Sequence, residues 1–207
     1  MTELYIIRHG QTAANRAGLK QGTIDDDRTR LTKTGKEQAA HLAAAFDLES
    51  FAAIYHSPLQ RTVETAQIIN RDARLPMVAD RRLLEISYGA WDGQENAALM
   101  ADYPSLFDPL IKDVRPTYVA VAGGERFEEV EARVAAFTEE VLARHPAEKL
   151  AVVTHGFTVR SFAVNATRSA GLTILEPDNC SVTKIVVDPA SGEQHLVYYN
   201  RVATPAW

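Results

Sequence analysis

The alternation of apolar runs and amphipathic stretches along this 207-residue chain predicts an α/β fold, a three-layer α/β/α sandwich around a mostly parallel central sheet. Three observations lead there. Short continuous apolar runs, Leu4-Tyr5-Ile6-Ile7 and Leu150-Ala151-Val152-Val153, read as strands buried on both faces. Between such runs the apolar period lengthens from that of a strand to that of a helix. Two of the runs end in His-Gly, at His9-Gly10 and His155-Gly156, and open α/β sheets bind ligands at the carboxyl ends of their strands.

The first strand is followed by a polar loop, after which Thr32 caps a helix whose Ala39, Leu42, Ala43 and Phe46 form one apolar face. Ala52 to His56 reads as the second strand. Ser57-Pro58 then reads as an N-cap with proline in the first helical position, starting a helix that carries Leu59, Val63, Ala66 and Ile69 inward and Arg61 in its first turn. Pro76-Met77-Val78 is a short strand, and Arg82 to Glu85 leads into turns ending at Trp91-Asp92-Gly93. From about 94 to 123, Pro104, Pro109 and Pro116 interrupt short helical pieces, so this stretch is expected to be an insertion lying over the site like a lid. Phe127, Val130, Val134, Phe137 and Val141 mark a long amphipathic helix. A closing strand pair is expected at Val182–Val187 and His195–Tyr199, around Pro189-Ala190-Ser191-Gly192. With no repeat, low-complexity tract or linker, residues 1–207 read as one domain.

Composition narrows the function. The chain is 46% hydrophobic and 24% charged, as ordinary globular proteins are. Its formal charge of -5 gives no global attraction to nucleic acid or anionic membrane, so neither is expected as a partner, and any anion site must be a local cluster of cations. The lone Cys180 cannot form an internal disulfide, and the N-terminus enters the first strand without a basic and apolar leader. A cytoplasmic enzyme is therefore expected. The apolar stretch Ile185-Val186-Val187, read as an edge strand, offers a route to a homodimer.

Arg8-His9-Gly10 is where chemistry is expected to begin. An imidazole beside a guanidinium, a glycine that lets a ligand approach the backbone, and Asn15 within reach suit phosphoryl transfer to histidine. The chain resembles the histidine phosphatase superfamily, also called phosphoglycerate mutase-like. The resemblance rests on Arg8-His9-Gly10-Gln11-Thr12 with Asn15, Gln21-Gly22, Leu31-Thr32 with Gly35, and Ser57-Pro58-Leu59-Gln60-Arg61-Thr62 with Glu64-Thr65-Ala66. It continues through Leu84-Glu85-Ile86, Tyr88-Gly89, Trp91, Gly93, Gly123-Gly124-Glu125 and Val153-Thr154-His155-Gly156. The resemblance implies that His9 is the nucleophile, that Arg8, Arg61 and His155 hold the phosphoryl oxygens with help from Asn15, and that Glu85 is the proton donor. Gln21, Gly22 and Gly156 count among the residues around the phosphate.

Phosphoryl transfer explains why such residues are needed. Charge spreads over three equatorial oxygens, so a site without metal must surround them with fixed cations and donors. His9 must be neutral on its attacking nitrogen, and the other nitrogen is expected to donate to a backbone carbonyl. Glu85 must protonate a leaving alcohol and then activate water, which calls for a raised pKa. No His-Glu-x-x-His or similar spacing occurs, so no metal and no cofactor is expected.

Each residue also has a plainer reading: Arg8 as a helix cap, Arg61 as a surface charge paired with Glu64, Glu85 as a solvated turn residue. Three positions are candidates for selectivity. Arg126 stands where relatives carry a small hydroxyl residue and would add a cation; Phe157 would make its wall bulkier and more apolar; Tyr88 follows the Glu85 segment. The expected function is hydrolysis of a small phosphorylated metabolite through phosphohistidine. The alternatives are a cofactor-dependent phosphoglycerate mutase, disfavoured by only about thirty residues between Gly93 and Gly123, and a catalytically weak phosphate-binding or scaffold protein.

Overall fold

In the computed structural model, which describes residues 1–170, 172–188 and 190–203, strands β1 (Thr2–Arg8), β2 (Phe51–His56), β3 (Met77–Ala79), β4 (Lys149–Thr154), β5 (Ser181–Val187) and β6 (Gln194–Val202) form one six-stranded sheet. Their order is β3-β2-β4-β1-β5-β6. The first four are mutually parallel, and β5 and β6 close the sheet antiparallel. The hairpin between β5 and β6 is held by Asp188 N donating to Glu193 O and Gly192 N to Asp188 O. Of the turn expected there, Pro189 lies outside the described residues.

Helices cover both faces. They are α1 (Ala13–Arg16), α2 (Lys33–Ala45), α3 (Gln60–Ile69), α4 (Asn96–Asp102), α5 (Val119–Ala122), α6 (Phe127–Arg144) and α7 (Gly156–Thr167). Strand alternation divides the core. Leu4, Ile6, Leu150 and Val152 pack against Val130, Val134 and Phe137 of α6 and Phe162 of α7. Ile7, Ile54, Ala151 and Val153 pack on the opposite face against Ala39 and Leu42 of α2 and Ala66 and Ile69 of α3. Burying a side chain such as Phe137, with none of its surface exposed, contributes about 1.5–3 kcal/mol. The three layers expected from the sequence are these two helical faces and the sheet.

Several local readings hold. Thr32 caps α2 by accepting from Gly35 N, and the apolar residues from Phe127 to Val141 do form one long helix. Two do not. The helix after β2 starts at Gln60 rather than at Pro58. The reason is that Ser57 Oγ is 2.8 Å from His155 Nε2 and is held there, so it does not serve as the helix cap. Ile185-Val186-Val187 is not an edge either: β5 lies between β1 and β6 and is paired on both sides.

The irregular stretch after Gly93 is anchored by aromatic packing. Trp91, 3% exposed, stacks on Phe107 at a centroid distance of 5.9 Å and contacts Tyr103 and Tyr118. Leu99, Phe107, Val114 and Tyr118 thereby join the core cluster that contains α6. Trp91 is a packing residue beneath this segment.

Candidate active site

Parallel pairing places the carboxyl ends of β1, β4 and β2 side by side. The ladder runs one residue further on each side, with His9 N donating to Thr154 O at 2.9 Å and Ser57 N to Val153 O at 3.0 Å. His9, His155 and Ser57 are thus set by strand register, and the two imidazole centroids are 5.3 Å apart. A cavity of about 210 Å³ opens over these strand ends.

His9 is 2% exposed, and its Nδ1 lies 2.8 Å from Gly10 O. A carbonyl can only accept, so Nδ1 carries the proton and Nε2 keeps its lone pair. Burial, then the nearby Arg61 and Arg8 charges, hold the His9 pKa well below the ordinary imidazole value. The ring is neutral at physiological pH, as an attacking nitrogen requires.

Arg61 is fully buried and does not pair with Glu64, which instead meets Lys36 at 2.8 Å. Its Nη1 donates to Ile24 O, Nη2 to Gly22 O and Nε to His155 Nδ1. Burial pushes its pKa down to about 10, with Glu85 and Asp25 opposing. The cation is therefore retained and aimed by backbone carbonyls. Gly22 adopts φ +49°, and a Cβ there would strike Asp92 Oδ1, so glycine lets the loop bring its carbonyl to Arg61.

His155 backs this arrangement. Because Nδ1 accepts from Arg61, Nε2 carries the proton and donates to Ser57 Oγ at 2.8 Å. Burial, then the Arg61 charge, keeps its pKa well below the ordinary value. Both ring nitrogens are thus committed to protein partners. Ser57→Ala would strand a buried N–H, and leaving such a donor unsatisfied costs about 1–3 kcal/mol. Chemical denaturation should show that loss; a change below about 0.5 kcal/mol would contradict the assigned hydrogen bond.

Arg8 donates through Nη1 to Pro177 O and stands 3.7 Å from Glu176 through Nη2, while its buried Nε has no protein acceptor among the described residues. Asn15 receives hydrogen bonds on Oδ1 from Thr12 N and Thr12 Oγ1, which leaves its amide N–H groups for the cavity that it lines. Gln21 also lines it and is held by Thr12 Oγ1 at 3.0 Å.

Glu85 is buried, not solvated. Oε1 accepts from Ile86 N at 3.0 Å and from Thr158 N at 3.3 Å, and Oε2 accepts from Phe157 N at 3.3 Å, so the carboxyl sits on the first turn of α7. Burial, followed by the Glu176 charge, raises its pKa, and these outweigh the backbone donor and the two arginines. A carboxyl shifted this way keeps its proton to higher pH than an ordinary glutamate, as a proton donor must.

The cavity wall therefore brings together Arg8, His9, Asn15, Gln21, Gly22, Arg61, Glu85 and Tyr88 from the sequence analysis. Gly156 and the ring of Phe157 are not part of that wall. Phe157 is 1% exposed and packs on Phe127 at 4.6 Å, so it contributes its backbone N–H to Glu85 and its ring to the core, not an apolar wall to the cavity. Arg126 is exposed at the start of α6 and pairs with Glu129 at 3.1 Å, so it does not supply a cation to the cavity. Glu129 returns to accept from Arg126 N, which fixes the arginine as a helix-start residue.

Five wall residues escaped sequence reasoning, Gly18, Leu19, Lys20, Asn96 and Glu176, of which Lys20 and Glu176 carry charge. Lys20 directly precedes Gln21-Gly22, a signal that was available. Glu176 lies in irregular chain between α7 and β5, where no periodicity marks it. Among the described residues, no group of three or more His, Cys, Asp or Glu side chains could hold a metal ion.

The model of the histidine phosphatase superfamily (branch 1) matches residues 4–201. The chain belongs to that superfamily. As a histidine phosphatase superfamily member it is 35% identical over 161 residues to phosphoserine phosphatase 1 of Hydrogenobacter thermophilus, covering 78% of this chain and 74% of the relative. It is 29% identical over 206 residues to the metal-independent phosphoserine phosphatase of Arabidopsis thaliana, covering 95% and 84%. Among solved structures, Bacillus stearothermophilus YhfR superposes with a TM-score of 0.86 at 30% identity, over 98% of each chain.

Proposed function

We propose that this protein is a metal-independent phosphomonoesterase that hydrolyses a small phosphorylated metabolite through a phosphohistidine on His9. The observation that carries the reading is the His9 tautomer, with Nδ1 tied to Gly10 O and Nε2 free in a cavity shared with Arg8, Arg61 and Glu85. The relatives named as phosphoserine phosphatases support it.

In this reading the Nε2 lone pair attacks phosphorus while the ester oxygen leaves with the Glu85 proton. Arg8, Arg61 and the Asn15 amide hold the equatorial oxygens, and Arg8 Nε gains the acceptor it lacks. His155 acts through Arg61, because its own donors are spent. The Glu85 carboxylate then takes a proton from water, which attacks phosphorus and breaks the P–N bond, and phosphate leaves. The segment from about 94 to 123 covers the cavity within a single domain. No helix among the described residues is long and apolar enough to cross a membrane, and the lone buried Cys180 supports a cytoplasmic setting. For a homodimer, the edge available to a second copy is β6, where Val197 is 54% exposed.

The deciding assay is release of phosphate from 4-nitrophenyl phosphate with excess chelator. An unchanged rate is expected, and strict dependence on an added divalent ion would overturn the reading.

A further inference from the structure

A second cavity, of about 600 Å³, adjoins the first, and Lys20 and Glu176 stand in the walls of both. The charges at this junction are incompletely paired. Among the described residues the one ion pair of Glu176 is with Arg8, at 3.7 Å, beyond hydrogen-bond reach, and Glu85 is near enough to feel its charge. Its place is structurally enforced: a Cβ on Gly156 would lie 2.3 Å from Glu176 Oε2, so glycine at the start of α7 makes room for this carboxylate. A carboxylate beside a phosphoryl site repels the incoming dianion unless the ligand brings a cation to it.

The wall of the second cavity also holds an excess of positive charge. Arg160 is 2% exposed, lies over the Phe157 ring at 4.0 Å, and lines the second cavity. It makes one side-chain hydrogen bond, Nη1 to Asp113 Oδ2 at 3.3 Å. The other oxygen of Asp113 is taken by Lys20 Nζ at 2.6 Å. Burial alone would push the Asp113 carboxyl up, but the two cations hold it below the ordinary value. One carboxylate thus serves two cations, with exposed Lys112 adding a third at the cavity mouth. A guanidinium offers five donors, and the one side-chain hydrogen bond of Arg160 leaves it donors for a ligand in the cavity that it lines. Such a cation suits an anionic ligand group.

Resting on the phosphatase reading above, we propose that the leaving group is the head of an amino acid: Glu176 takes its α-ammonium, and the Lys20–Arg160 pair takes its carboxylate. Both readers line the second cavity, and Lys20 and Glu176 line the phosphoryl cavity as well. This makes Glu176 a selector of ammonium over hydroxyl among esters of equal size.

Two substrate pairs test it by kcat/KM. Phosphoethanolamine and 2-hydroxyethyl phosphate differ only in ammonium against hydroxyl. The wild type should favour the former by about tenfold, the equivalent of one modest ionic contact, and Glu176→Gln should bring the ratio close to one. O-phosphoserine should in turn exceed phosphoethanolamine, and Lys20→Met or Arg160→Met, each checked for folding by circular dichroism, should remove that advantage. If Arg160→Met fails to fold, Lys20→Met alone decides the second arm. A ratio unchanged by Glu176→Gln overturns the assignment. Cleavage of 4-nitrophenyl phosphate without any ammonium preference overturns it while leaving the phosphatase reading intact, and failure to cleave any ester overturns both.

Discussion

His9→Ala should lower kcat by at least about 10⁴-fold, the scale of loss seen when the attacking residue of a covalent mechanism is removed. Nothing else in the cavity replaces it. The second imidazole, His155, has Nδ1 committed to Arg61 and its Nε2 proton committed to Ser57. Quenched reactions of the wild type should contain a phosphoenzyme that is acid-labile and base-stable, and the variant should contain none. Thermal unfolding establishes that the variant is folded. A folded variant with more than a trace of turnover would remove His9 from the role of nucleophile.

Glu85→Gln should cost about 10²–10⁴-fold, the usual contribution of general acid-base catalysis. Glutamine retains an oxygen for Ile86 N and the first turn of α7, so the loss reports proton transfer more than collapse of the site. It should depend on the leaving group. In single-turnover formation of phosphohistidine, an alkyl phosphate, whose alkoxide needs a proton, should lose more than 4-nitrophenyl phosphate. Equal losses would exclude Glu85 as the acid.

The pH dependence follows from the signs of the shifts. His9, held below its ordinary value, must be neutral, so activity falls as pH drops through its lowered pKa. Glu85, raised above 4.5, must be protonated, so activity falls as pH rises through its raised pKa. The variant should lack that alkaline limb. Stability should move in the same sense. A carboxyl with a raised folded pKa favours the folded state fully below about 4.5, and this contribution is lost as pH rises through the folded value. The wild-type denaturant midpoint should therefore fall as pH rises through that value, and Glu85→Gln should lack this slope.

Much of this site was legible because it is built at strand ends. Apolar runs reveal buried parallel strands, and whatever follows their last residue emerges at the carboxyl edge, so Arg8-His9-Gly10 and His155-Gly156 could be placed before any contact was known. The helices flanking the sheet were equally readable from their apolar faces, as at Phe127 to Val141. Arg61 was legible as a residue in a first helical turn but not as a buried one, since its partners are the carbonyls of Gly22 and Ile24, distant in sequence.

By itself, then, the sequence determined the α/β layering, the family and the residues that meet at the edge of the sheet, because these follow from local periodicity and short motifs. Tertiary structure alone decided which way each side chain is spent. Ser57 could have capped a helix, but β4 brings His155 to it, and its hydroxyl goes there. Phe157 and Arg126 read as wall residues until α6 took one into the core and left the other outside beside Glu129. Lys20 and Glu176 had no periodic signal, because irregular chain carries none. Their placement at the junction of two cavities comes from Asp113 on one side and the bare backbone of Gly156 on the other, contacts that span more than ninety positions in the first case and join a loop to a helix start in the second.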